Sequence, residues 1–169
     1  MSPFLVYAWP GFAIGLVLGM FVGTMTYRRR LGGIRRARFI AGAALASILA
    51  VAVWSGPMGG ADRFATGIEH FSRLVLDNFE MNEVSAHLGR GPLTRKLFLS
   101  GPADDFQRSE LALTMGNVPG VSTATWARTE RSLPLIVEGA LAALAGLALG
   151  WFLAGLLEWH RRYNAQWNW

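Results

Sequence analysis

Apolar residues fall into three long runs along the chain, and the charged residues collect between them. The runs extend from about Phe4 to Thr26, Phe39 to Gly56 and Leu133 to Leu157. At 1.5 Å per residue the first is about 35 Å long, enough to cross a hydrocarbon core of about 30 Å with some tilt. The second, about 18 residues and rich in alanine, is near the minimum for a span. Aromatic residues mark the run ends, as at a lipid–water interface: Trp9 and Tyr27, Trp54, then Trp151 and Trp159. Pro10 falls in the first turns of the first run and Pro134 at the start of the third, where a helix tolerates proline. The tail His160–Trp169, with Tyr163, Trp167 and Trp169, is expected along the headgroup layer.

The segment 57–132 has a different pattern. Ser55-Gly56-Pro57-Met58-Gly59-Gly60 ends the second run. Phe64, Ile68, Phe71, Val75 and Phe79 then recur at three- and four-residue spacings, which predicts an amphipathic helix over 62–80 with these side chains inward. Glu83–Leu88 alternates and Arg95–Ser100 follows the turn Gly89-Arg90-Gly91-Pro92, which predicts a hairpin. Asp104 and Gln107 have the spacing of a capping box, so a helix should run from Asp105 to Gly116. After the turn Val118-Pro119-Gly120, the β-branched stretch Val121–Trp126 predicts a third strand. The expected fold is an α-helical membrane protein with three transmembrane helices and a small inserted α+β domain of order αββαβ. The parts are 1–56, 57–132 and 133–169.

Charge changes the picture by its placement. The chain carries a formal +5 with a pI near 10.7, which invites a nucleic-acid reading. Yet 57–132 is about neutral, and the excess lies at run ends, in Arg28, Arg29, Arg30, Arg35, Arg36, Arg38, Arg161 and Arg162. That is a membrane-topology signal and disfavours nucleic acid as a partner. The link Arg28–Arg38 has six arginines and no acid, so it is expected in the cytoplasm. Three crossings then place the N-terminus and 57–132 outside and the C-terminus inside. Cysteine is absent, which excludes disulfides and thiolate chemistry. The start, MSPFLVYAWP, lacks a basic n-region and reads as a retained helix rather than a signal peptide.

Small residues repeat every four positions in the apolar runs: Gly11, Gly15, Gly19 and Gly23 in the first, Gly42, Ala46 and Ala50 in the second, Ala142, Gly146, Gly150 and Ala154 in the third. Such stripes let helix backbones approach closely. They serve either the chain's own three helices or a partner, which would be another protein or a second copy. Both readings stay open.

Leu97-Phe98-Leu99-Ser100-Gly101, then Asp104-Asp105 and Arg108, then Val118-Pro119-Gly120-Val121, resemble the BON (bacterial OsmY and nodulation) domain over residues 62–127. The resemblance implies an αββαβ fold in a periplasmic or membrane-associated protein. It also implies binding to phospholipid surfaces or protein partners, and no catalysis by this domain. With the topology, the expected location is a bacterial inner membrane.

No nucleophile elbow, phosphate loop, H-E-x-x-H or dinucleotide fingerprint is present. His70 and His87 are expected across the membrane from His160, and Glu83 with His87 on a strand makes no metal site, so no cofactor or metal is expected. Asp104-Asp105 reads as a helix cap. Arg95 and Lys96 are candidates for contact with lipid phosphate or a partner, against a solvated strand edge. Glu138, about a turn inside the third run, is a candidate for lipid or partner contact or for proton or ion handling, against a local hydrogen-bonding or bundle-interior role. Glu158 reads as solvated. The chain is therefore expected to be a non-enzymatic membrane protein presenting a lipid- or protein-binding domain. The alternative is an accessory subunit of a larger complex, joined through its Gly/Ala-rich helix faces.

Overall fold

The first apolar run forms a helix, α1, Pro3–Arg28, and the second forms α2, Gly33–Ser55. The third forms the 31-residue α5, Leu135–Ala165. The computed structural model describes residues 2–28, 32–127 and 132–165. Arg29 and Arg30 of the basic link, residues 128–131, and Trp167 and Trp169 of the tail lie outside the described residues. The chain is mostly helical, and α1, α2 and α5 are each long and apolar enough to cross a membrane.

Two of these helices exceed their apolar runs. α2 begins at Gly33, so Arg35, Arg36 and Arg38 belong to the helix and not to the link. Arginine is a good helix former, so hydropathy alone sets the start too late. α5 continues through His160, Arg161, Arg162 and Tyr163, so the described part of the tail is no separate element. Pro10 lies two turns inside α1, where it forfeits the bond its N–H would make to the Val6 carbonyl.

Between α2 and α5 come α3 (Gly60–Asn78), β1 (Ser85–Arg90), β2 (Leu93–Ser100), α4 (Asp105–Gly116) and β3 (Thr123–Thr125). The sheet order is β1-β2-β3, with β1 antiparallel and β3 parallel to the central β2. Asp104 Oδ1 accepts the Gln107 N–H at 2.7 Å, and Gln107 Oε1 accepts the Asp104 N–H at 3.1 Å, closing the capping box of α4. Ala86 and Leu88 of β1 pair with Leu99 and Leu97 of β2, and all four are buried, as are Leu111, Met115, Val118 and Val121.

The inward face of α3 departs from the expected one. Phe64, Ala65, Ile68, Ser72 and Leu76 are buried, whereas Phe71 and Phe79 are about half exposed. A buried edge at four-residue spacing (64, 68, 72, 76) with a serine in it hides from a hydropathy count that follows the larger aromatics.

The chain divides into two compact units. One comprises Met1–Tyr7 and Ser55–Glu138, broader than 57–132 because it includes the starts of α1 and α5. The other comprises Ala8–Trp54 and Gly139–Trp169.

Candidate functional site

In the first unit the polar residues converge on Arg95. Arg95 and Leu97 lie two apart in β2 and share a sheet face. The Arg95 Nε–H donates to the Gly120 carbonyl at 2.9 Å, and Nη1 donates to Glu138 Oε2 at 3.0 Å. The guanidinium lies 4.2 Å from the Phe4 ring centroid, a cation–π distance. The Arg95 carbonyl accepts the Ser122 N–H at 2.8 Å. One residue thus ties β2 to the turn before β3, to the first turn of α5 and to the first turn of α1. Gly120 has φ +101, a conformation other residues adopt only under strain, and a methyl there would meet Ile68 Cδ1 at 2.9 Å.

Two further ties lie nearby. Tyr7 Oη and Ser55 Oγ are 2.5 Å apart in a buried hydrogen bond, and the Tyr7 and Phe64 rings lie 5.7 Å apart. Thr94 of β2 forms an isolated bridge with Pro134.

These contacts revise the expectation of a solvated edge at Arg95 and Lys96. Arg95 and Glu138 are partners, each with about a fifth of its side chain exposed. Lys96 is only 2% exposed, on the sheet face opposite Leu97. A buried ammonium is not available to a lipid phosphate. The sequence signal for this is weak, because a lysine beside an arginine in a strand looks like an exposed edge. Glu138 Oε2 is the acceptor of the Arg95 pair.

The outer edge of β1 is closed by α3. Leu88 N–H donates to Glu69 Oε1 at 3.1 Å, and Arg73 Nη1 donates to the Val84 carbonyl at 3.2 Å. Glu69 also pairs with Arg90 at 2.8 Å. Side chains on edge backbone groups discourage strand addition there. An open cleft of about 550 Å³ lies between Glu80–Val84 and Pro102–Asp104. No group of three His, Cys, Asp or Glu that could hold a metal ion occurs among the described residues.

In the second unit the glycine stripes of α1 and α5 face each other. A methyl on Gly15 would fall on the Ala143 carbonyl oxygen, and one on Gly19 on that of Leu147. Gly146 and Gly150 reciprocate against the Phe12 and Leu16 carbonyls. Gly11 meets Val51 of α2 and Gly139 of α5, and Gly23 meets Ala154. These contacts advance together along both helices, so α1 and α5 run parallel with their backbones in contact. The stripe of α2 differs: a methyl on Gly42 would meet nothing within 4 Å, and Ala46 is exposed.

At the far end of this unit, Glu158 is 9% exposed and pairs with Arg161 at 3.2 Å and Arg162 at 2.9 Å, so it is engaged rather than simply solvated. Comparisons of the chain with protein-family models, with curated proteins and with solved structures return no match.

Proposed function

We propose that this chain is a non-enzymatic protein of a bacterial inner membrane, in which α1, α2 and α5 cross the bilayer. The segment between α2 and α5 is a BON-like domain on the extracytoplasmic side, where it binds a lipid surface or a protein. The observation that carries the reading is the Arg95 junction. It ties the central strand to the first turns of α1 and α5, which belong to the same compact unit as the strands. On the domain, Phe106 and Leu113, two turns apart on α4, are 74% and 67% exposed, and Phe71 and Leu74 of α3 are about half exposed. Large apolar side chains outside a small domain favour an apolar contact.

The test uses full-length protein reconstituted in nanodiscs or purified in mild detergent. Binding of anionic vesicles, or a stoichiometric co-purified protein, is expected to weaken when Phe106 and Leu113 become serine. Unchanged binding in a folded variant refutes the domain's role.

A second reading, an accessory subunit of a larger complex, is favoured by α2, whose Gly42 and Ala46 remain open while the other two stripes are occupied within the chain. Under it, co-purification survives the α4 changes and is lost with Gly42→Leu.

A further inference from the structure

The end of the second unit where α1 finishes, α2 starts and α5 finishes is strongly and almost uniformly positive. Residues 8–54 and 139–169 hold eight arginines and a single acidic side chain, Glu158. Glu158 is occupied by Arg161 and Arg162, and Arg162 Nη2 also donates to the Tyr27 carbonyl at 3.2 Å. Arg28, Arg35, Arg36 and Arg38 have no acidic partner among the described residues. Arg36 is held by two rings, 5.6 Å from the Tyr27 centroid and 5.0 Å from that of Trp151, and those rings lie 5.5 Å apart. One ring from each of the two neighbouring helices, α1 and α5, therefore fixes this guanidinium at the rim.

The positions of Arg35 and Arg36 are unfavourable without an anion. α2 starts at Gly33 with Arg35 and Arg36 close behind, and its first turn holds no acid. Positive side chains at a helix N-terminus repel the positive end of the helix dipole and one another. An anion there relieves both effects and accepts bidentate bonds from guanidinium groups. The surface next to the rim is apolar: Phe21 of α1, Phe39 of α2, and Phe152, Leu157 and Trp159 of α5 are all about half exposed or more. An occupant that matches both parts has a phosphate head and hydrocarbon chains.

We infer that this rim is a binding site for the headgroup of an anionic phospholipid. Arg36, stacked on Tyr27 and Trp151, is the fixed contact to the phosphodiester, and Arg28, Arg35 and Arg38 supply the surrounding positive charge. The acyl chains lie along the exposed apolar residues of the adjoining helices. This rests on the membrane reading above but not on the domain's role.

The experiment takes the full chain, stripped of lipid in a neutral detergent, and titrates it with short-chain phosphatidylglycerol or phosphatidylcholine. Bound lipid is counted by native mass spectrometry. The wild-type protein is expected to hold phosphatidylglycerol and not phosphatidylcholine. Arg35→Gln with Arg36→Gln should weaken that binding by about tenfold or more, since each basic group near an anionic surface contributes appreciably. Arg161→Gln, whose partner is Glu158, should change it by less than about threefold. If the double variant does not elute as a folded species, Arg28→Gln with Arg38→Gln is held to the same tenfold criterion. Equal binding of the two lipids, no effect of the arginine changes, or displacement by inorganic phosphate alone overturns the inference. A protein that stays in solution without detergent defeats the membrane reading instead. One that needs detergent yet does not distinguish the lipids defeats only this site.

Discussion

Arg95 and Glu138 are 43 positions apart in sequence, yet Arg95 Nη1 lies 3.0 Å from Glu138 Oε2, joining the central strand of the sheet to the first turn of α5. Each partner is mostly sheltered, so neither solvates its charge fully when the other is lost. The same guanidinium serves Gly120 and Phe4, which makes its removal the larger perturbation.

Arg95→Gln is expected to destabilise the detergent-solubilised protein by about 2–3 kcal/mol, and Glu138→Gln by about 1–2 kcal/mol. The asymmetry follows from the lost Gly120 bond and Phe4 contact. A double-mutant cycle on thermal or denaturant unfolding should show coupling between the two. Additive effects would mean the pair does not act as a unit.

Gly19→Ala is expected to force α1 from α5, because the added methyl falls on the Leu147 carbonyl, and to destabilise by about 1–3 kcal/mol. Gly42→Ala, with open space around it, should be neutral or stabilise slightly, as alanine is the better helix residue by about 1 kcal/mol. Melting temperatures of the two variants in one detergent check this contrast. Equal melting temperatures would contradict the close α1–α5 approach.

Asp104→Ala is expected to cost about 1 kcal/mol through loss of the α4 cap, and Asp104→Asn much less, because asparagine still accepts the Gln107 N–H. Unfolding midpoints compare them. An equal loss in both variants would point to the charge rather than the cap.

The chain lacks cysteine, so single introduced thiols report topology cleanly. Thr66→Cys on α3 and Ala37→Cys on α2 both sit at exposed positions. An impermeant maleimide added to intact cells is expected to label the first and to reach the second only after permeabilisation. The reverse pattern would invert the proposed orientation.

Legibility in the sequence varies with the range of the interaction. The capping box of α4 is readable because Asp104 and Gln107 are three residues apart and satisfy each other locally. The order of helices and strands between α2 and α5 follows from periodicity and turn residues for the same reason. The inward face of α3 is not legible, because what buries Ser72 and Leu76 and leaves Phe71 outside is the position of distant strands. Of the Arg95 junction, the sequence shows an arginine and a glutamate worth noting, but not that they meet.

By itself the sequence determined where apolar surface must be hidden from water and where the chain must turn, since both depend on neighbours a few positions away. Only the tertiary structure decided which stripes meet and which charges pair. The glycines of α1 close on α5 while Gly42 stays open, and Lys96 is enclosed while Arg95 finds Glu138. The physical reason is that a small residue or a charge states only what it permits. Its partner is chosen by the packing of the whole chain.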